Sequence, residues 1–205
     1  LKANPNISQF WLSYIDALIK LNKIDDAKVI FNQATKKGFE GPTFYKLAQQ
    51  LDSMEVAKKL VSNYQDPPPD KLQIVIDLYK KRKFQKALNL ASKLLQQFPS
   101  SIILHNISGV ANQGLGQFNA AIEAFNKALL IKPDFAEAYN NLGNAFKEQG
   151  KLEDAIKAYN QALTIKPDNA DTLNNKGVAL QEQNKLEDAI EAYNQALIIK
   201  PNNAS

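Results

Sequence analysis

Apolar and small side chains recur at three- and four-residue spacing along most of the chain, which predicts helices that bury one face. In residues 136–169 the first set is Tyr139, Leu142, Gly143 and Phe146, and the second set is Leu152, Ala155, Ile156, Tyr159, Ala162 and Leu163. Gly150 separates the two sets, and Pro167 follows the second. Glycine favours a helix end and proline cannot continue a helix. The pattern predicts a helix, a tight turn, a second helix and another turn.

This unit repeats every 34 residues. The columns are Pro99, Pro133, Pro167 and Pro201; Ala87, Ala121, Ala155 and Ala189; and Gly109, Gly143 and Gly177. Residues 136–169 and 170–203 are identical at 23 of 34 positions, which chance does not produce. We therefore expect three near-ideal units at 102–135, 136–169 and 170–203. A single hairpin cannot bury its own apolar face, so consecutive hairpins must stack.

The amino-terminal half carries the same frame in a more degenerate form. Residues 8–41 keep Trp11, Ala27 and Phe31 in their columns. Residues 42–66 are interpreted as a shortened hairpin around Ala57. Residues 67–101 are expected to form a further hairpin after the proline-rich elbow "DPPPD" (66–70). The predicted organisation is degenerate hairpins at 1–66, one hairpin at 67–101, and the near-ideal units within 102–205, six hairpins in all.

Particular columns predict local structure. Gly116, Gly150 and Asn184, with Asn22 in the same phase, are expected to adopt a left-handed conformation after a helix end. Asp134, Asp168 and Asn202 are expected to cap the helix that follows each proline. Gly143 and Ala155 are small because two helices press together there, and Phe125 and Tyr159 are expected to fill the gap toward the following unit.

The motif Tyr139-x-x-Leu142-Gly143-x-x-Phe146, followed by Ala155, Tyr159, Ala162 and Pro167, resembles the tetratricopeptide repeat. The resemblance implies an all-α fold, a right-handed superhelical solenoid of antiparallel helix hairpins, whose first helices line a concave, ligand-binding surface. Ser108 and Lys176 depart from the pattern where leucine is usual, and His105 and Leu173 stand in the column of Tyr139.

The residues for common catalytic chemistry are scarce. The chain has no cysteine and one histidine, so a catalytic Cys–His pair cannot form and a Ser–His pair would depend on a single residue. His105 lies in an aromatic column and is interpreted as packing. Glu153 and Asp154 begin a second helix, where the helix dipole favours negative charge. We therefore predict no catalytic, metal or cofactor site and no enzymatic activity for this segment.

The net charge of +4 is concentrated in one basic cluster, formed by Lys80, Lys81, Arg82, Lys83 and Lys86. No aromatic or glycine-rich recognition motif accompanies it, so we interpret it as a solvated turn and expect no nucleic-acid partner. No apolar run reaches the ~20 residues that span a bilayer, so no membrane partner is expected. The absence of cysteine fits a reducing compartment, and we expect a cytoplasmic location.

The candidate peptide-binding residues are asparagines on first helices: Asn106, Asn140, Asn141, Asn144, Asn174 and Asn175. Asparagine is a poor helix former, so folding alone does not explain them. Its amide donates and accepts hydrogen bonds and can bind a peptide backbone. The arms of O-linked N-acetylglucosamine transferases are similar, with asparagines in the phase of Asn141 and Asn175, a column that Ile107 breaks. Composition drift is the alternative, since Asn126, Asn160 and Asn194 take outer positions.

The favoured function is a non-catalytic scaffold that binds an extended peptide or a folded partner, of unknown identity, on the concave face. Replacing Asn141 and Asn175 together by alanine is expected to weaken binding and to leave the melting temperature nearly unchanged. One alternative is the substrate-recognition arm of a larger glycosyltransferase, sulfotransferase or methyltransferase. Another is homo-oligomerisation through the terminal repeats, with Ala192, Tyr193, Ala196 and Ile199 pairing with a second copy.

Overall fold

The computed structural model describes residues 5–21, 23–62 and 65–200, with side chains for 8–21, 23–55 and 65–200. These residues form eleven helices and no strand. The helices are α1 (Pro5–Lys20), α2 (Ile24–Lys36), α3 (Pro42–Ser62), α4 (Pro69–Lys80), α5 (Phe84–Gln97), α6 (Ile102–Gly114), α7 (Phe118–Ile131), α8 (Ala136–Glu148), α9 (Leu152–Ile165), α10 (Ala170–Glu182) and α11 (Leu186–Ile199). The predicted all-α class is confirmed.

The chain divides into two compact units, Leu1–Ser62 and Asn63–Ser205. In the amino-terminal unit α1 and α2 form a hairpin, and α3 packs against α2. The core of this unit includes Ile15, Leu18 and Leu51. An aromatic cluster of Trp11, Phe31, Phe39 and Phe44 lies beside it, with ring centroids 5.9–6.4 Å apart in the pairs that touch.

The prediction of a hairpin at 42–66 is wrong, because α3 is one continuous helix of 21 residues, Pro42–Ser62. The physical reason is visible in the sequence. No glycine, proline or asparagine lies between 43 and 62, so nothing there ends a helix or favours a left-handed turn. The side chain of Ala57, on which that prediction was centred, lies outside the described side chains.

In the carboxy-terminal unit the helices pair as α4/α5, α6/α7, α8/α9 and α10/α11. The first helices α6, α8 and α10 also pack against the second helix of the preceding pair. One buried cluster shows how neighbouring hairpins complete each other. It joins Ala138, Leu142 and Ala145 of α8 to Phe125, Ala128 and Leu129 of α7. The first helix of each following hairpin therefore covers the apolar face of the hairpin before it.

The turn column adopts the predicted left-handed conformation. The φ angles are 72° at Gly116, 73° at Gly150 and 61° at Asn184. Arg82 occupies the same column with φ 55°, which sequence analysis missed. A residue with a β-carbon there costs roughly 1–2 kcal/mol relative to glycine. Asn22 lies outside the described residues.

The predicted helix caps at Asp134 and Asp168 are wrong by one residue. The helices α8 and α10 begin at Ala136 and Ala170, so the capping position is the residue after each aspartate. At that position the Asn169 side chain accepts a hydrogen bond from the Thr172 backbone N–H at 3.2 Å, whereas residue 135 is a phenylalanine with no acceptor. The third predicted cap, Asn202, lies outside the described residues.

Candidate functional site

The first helices of the carboxy-terminal unit contact one another in the order α4, α6, α8, α10. Hydrogen bonds between asparagine side chains join them. Asn141 Nδ2 donates to Asn106 Oδ1 at 3.2 Å, and Asn175 Nδ2 donates to Asn140 Oδ1 at 3.1 Å. Each bond spans 35 residues, so the same link recurs in successive units. We call this set of links the asparagine ladder.

Asn106 is enclosed by the ladder. Its side chain is 7% exposed, and its Nδ2 donates to Glu137 Oε1 at 2.9 Å. Its amide therefore bonds to two residues of α8 and presents almost no surface to a ligand. Asn140, Asn141 and Asn175 are half-buried. The ladder engages one amide atom of each, and the other amide atom makes no hydrogen bond within residues 65–200.

Asn144 has one side of its amide fixed by Tyr159. The Tyr159 hydroxyl donates to Asn144 Oδ1 at 2.7 Å. Burial raises the pKa of Tyr159 well above its ordinary value of 10.0, and the charges of Glu148 and Glu182 raise it further. The phenol therefore remains a donor at physiological pH. This bond sets the orientation of the amide and leaves Asn144 Nδ2 as a donor on the half-buried surface.

Asn174 is exposed, and its side chain makes no hydrogen bond within residues 65–200. It lies in a groove of about 600 Å³ between α10 and α11 of the last hairpin. The groove is lined by Asp171, Asn174, Tyr193, Ala196, Leu197 and Lys200, among others, and Lys200 Nζ lies 2.8 Å from Asp171 Oδ1. We call it the terminal groove. Sequence analysis did not predict a groove here, but two of the residues that it expected to pair with a second copy, Tyr193 and Ala196, line it.

The residues predicted to pair with a second copy are mostly turned inward. Ala192 and Ala196 are 4% and 8% exposed, and Tyr193 is half-buried. Only Ile199 is exposed among the four, at 38%, while its neighbours Leu197 and Ile198 reach 53% and 80%. The alanines serve the contact between α10 and α11. Tyr193 and Ala196 also line the terminal groove.

The other residues that sequence analysis considered for chemistry do not form a common site in the described residues. Among the described residues, no three His, Cys, Asp or Glu side chains come together as metal ligands. The His105 Nε2 lies 2.9 Å from the Pro99 carbonyl oxygen, and burial lowers its pKa. The basic cluster is exposed at all five positions. No helix in the described part of the chain is both long and apolar enough to cross a membrane.

Comparison with known proteins agrees with this architecture. Family profiles described as "TPR repeat" match residues 114–150 and 143–184, and one described as "Tetratricopeptide repeat" matches 170–203. No curated protein matches the sequence. The fold and the asparagine ladder define a class of protein in which helical hairpins stack on one another. Residues 114–203 of the chain consist of tetratricopeptide repeats.

Solved structures share the fold at low sequence identity. A structure titled "Crystal structure of MamA" has 22% identity and a TM-score of 0.62, covering 85% of this chain and 96% of that one. "MamA 41-end from Desulfovibrio magneticus RS-1" has 16% identity and a TM-score of 0.61, covering 97% of each chain. "Crystal structure of YrrB: a TPR protein with an unusual peptide-binding site" has 18% identity and a TM-score of 0.55, covering 94% of this chain and 86% of that one.

These results support a coarse functional statement. A tetratricopeptide stack is a protein-interaction scaffold, and the fold is generally non-catalytic. The particular resemblance to the arms of O-linked N-acetylglucosamine transferases stays a prediction.

Proposed function

We propose that the surface formed by the first helices α6, α8 and α10 binds an extended peptide through the peptide backbone. Sequence analysis expects these first helices to line the concave face. The observation that carries the proposal is Asn144, whose oxygen is held by Tyr159 while its Nδ2 faces the half-buried surface. A side-chain amide fixed in this way presents a donor of defined direction, which lowers the entropy lost on binding.

The ladder supplies the complementary acceptors. Asn141 and Asn175 each donate Nδ2 to the preceding unit, which leaves their Oδ1 atoms for a ligand. An extended peptide carries one N–H donor and one C=O acceptor at each residue other than proline. A surface with both an amide N–H and amide oxygens therefore suits a peptide backbone without selecting its side chains. The relative titled with an unusual peptide-binding site shares this fold.

The test uses an isosteric change. In Asn144→Asp the carboxylate still accepts the Tyr159 hydrogen bond, but the donor to the ligand is lost. The probe is a peptide selected against the wild-type chain from a random-sequence library, and its dissociation constant is measured by titration calorimetry. Loss of one hydrogen bond, worth about 0.5–1.5 kcal/mol, weakens binding by roughly 2–10-fold.

The matched control is Asn126→Asp, which introduces the same charge at an exposed position on the second helix α7. We expect the control to bind the peptide with wild-type affinity and both variants to melt close to the wild type. Equal affinities for Asn144→Asp and the wild type would refute the proposal, as would an equal loss in both variants.

The alternative that the chain is a substrate-recognition arm of a larger enzyme stays a prediction. No described side chain favours it over a free-standing scaffold.

A further inference from the structure

We propose that helix α1 of one copy of this chain docks into the terminal groove of a second copy. The two surfaces are different, so the contact is heterologous. It does not rest on the peptide proposal, although the groove lining includes Asn175 of the peptide surface described above.

The internal repeats show what the groove of a hairpin receives. In α8, Ala138, Leu142 and Ala145 pack onto α7 of the hairpin before it. The aligned positions in the neighbouring first helices are Leu104, Ser108 and Ala111 in α6 and Thr172, Lys176 and Ala179 in α10. Leu104 packs against α5 and Ala179 against α9 in the same way. The outer two positions of each set are 0% exposed, and the central positions are buried except for the half-buried Lys176. This set is the docking face of a first helix.

Helix α1 carries the same face without a cover. Since Ala27 stands in the column of Ala155, the equivalent positions in α1 are Phe10, Tyr14 and Ala17. All three are exposed, Phe10 at 73% and Tyr14 at 54%. An aromatic pair on the outer face of a helix has no role in the core of its own unit, and large exposed apolar groups of this kind are typical of interaction sites.

The receiving wall is uncovered in the same way. In the column of leucines on second helices, Leu129 is 8% exposed, Leu163 is half-buried and Leu197 is 53% exposed. In the ladder column, Asn106 is 7% exposed and Asn174 is exposed. The terminal groove is thus the same surface that α8 and α10 cover in the two preceding units.

The polar groups match as well. The ladder requires that a first helix donate from the position of Asn141 to the asparagine of the preceding unit. In α1 that position is Ser13, and Gln9 takes the position of Glu137. Both side chains are exposed and bear hydrogen-bond donors, and Asn174 offers an amide oxygen that no described residue engages.

Helix α4, which begins the carboxy-terminal unit, is a poor alternative occupant. Its equivalent positions are Asp70, Ile74 and Asp77. Docking α4 would take two carboxylates into a groove that already carries Asp171, and burying unpaired charge is costly. The volume of about 600 Å³ leaves room for Phe10 and Tyr14, which are larger than the Ala138 and Leu142 of an internal contact.

Two single changes test the proposal. Tyr14→Glu places a charge on the α1 face, and Leu197→Glu places one in the groove; both residues are more than half exposed, so the folded monomer tolerates them. The controls are Tyr45→Glu and Ile198→Glu, at side chains 64% and 80% exposed that lie outside the α1 face and the groove lining. The mass of each chain is measured by sedimentation velocity over a concentration series.

We expect the wild type and both controls to associate reversibly above the monomer mass of 22.8 kDa. Each test variant has one faulty surface and remains monomeric, with a dissociation constant at least about tenfold higher. An equimolar mixture of Tyr14→Glu and Leu197→Glu regains association as a heterodimer, because the intact groove of the first meets the intact α1 of the second.

Three outcomes would overturn the proposal. A wild type that stays monomeric at every concentration removes it. Association of Tyr14→Glu at wild-type strength shows a symmetric contact between α11 helices or a different surface. A mixture of the two variants that stays monomeric shows that Tyr14 and Leu197 do not belong to complementary surfaces. Circular dichroism melting of each variant confirms that the comparison concerns folded chains.

Discussion

The ring of Tyr159 lies directly against the backbone of Gly143. A β-carbon added to Gly143 would stand 2.5 Å from the ring atom Cε1. The same relationship recurs between Gly109 and Phe125, at 2.3 Å, and between Gly177 and Tyr193, at 2.5 Å. The glycine column and the aromatic column of the repeat are therefore two sides of one contact within each hairpin.

Replacing Gly143 by alanine is expected to destabilise the protein by about 1–3 kcal/mol. The Tyr159 ring is 0% exposed, so it has no room to swing away from the new methyl group. The sign of the change in the free energy of unfolding is informative, because a Gly→Ala change inside a helix normally stabilises the helix by about 1 kcal/mol. Urea unfolding followed by circular dichroism measures the difference.

The matched experiment is a double-mutant cycle with Tyr159→Leu. The smaller side chain removes the clash, so Gly143→Ala should cost less in that background than in the wild type. If Gly143→Ala stabilises the wild-type chain, or costs the same in both backgrounds, the ring contact is not what requires glycine there.

The regular half of the fold was predictable because each repeat column holds residue types that suit one structural position. Gly150 and Asn184 indicated left-handed turns, and φ is positive at both. The degenerate half was not predictable in the same way. Alanines that recur every 30 residues, at positions 27, 57 and 87, suggested a hairpin at 42–66, but the segment 43–62 has no glycine, proline or asparagine to favour a turn. Arg82 shows the converse, a turn held by its neighbours despite an unfavourable residue.

The sequence predicted which asparagines make up the candidate site, but it did not predict the hydrogen bonds between them. The unusual frequency of asparagine on first helices singled out Asn141 and Asn175, and their role in peptide binding stays a prediction. Their partners, Asn106 and Asn140, lie 35 residues earlier, and one residue out of phase with the repeat. That offset depends on how neighbouring helices are rotated against each other, which a column of identical residues does not reveal. The terminal groove likewise depends on the exposure of Leu197 and Asn174, which the repeat columns do not reveal.

The ladder changes what is expected from removing its asparagines. Asn141→Ala leaves Asn106 Oδ1 without its donor at a position that is 7% exposed. An unsatisfied buried polar group costs about 1–3 kcal/mol. The double change Asn141→Ala with Asn175→Ala should therefore lower the melting temperature clearly, contrary to the expectation from sequence that it would not change.

The control for this prediction is Asn126→Ala, at an exposed position of α7. Its effect on the free energy of unfolding should stay within about 0.5 kcal/mol. A double-mutant cycle between Asn106→Ala and Asn141→Ala then isolates the bond. Additive losses in the cycle, with no coupling energy, would show that the two side chains do not interact in solution.

The one histidine gives the fold a dependence on pH. Burial lowers the pKa of His105 below its ordinary value of 6.5, and the charge of Lys127 acts in the same direction, while the bond to the Pro99 carbonyl opposes both. The unfolded chain therefore binds a proton at His105 more readily than the folded chain. The stability that the neutral imidazole contributes is complete above pH 6.5 and is lost as the pH falls through the folded pKa.

We expect the free energy of unfolding of the wild type to fall between neutral pH and about pH 5, where most carboxylates remain ionised. In His105→Tyr, which places the side chain of Tyr139 in the equivalent position of the preceding unit, this fall should be much smaller. Urea unfolding at several pH values measures both curves. Parallel curves for the two chains would show that another group controls the acid side of the stability profile, because the variant has no imidazole to titrate.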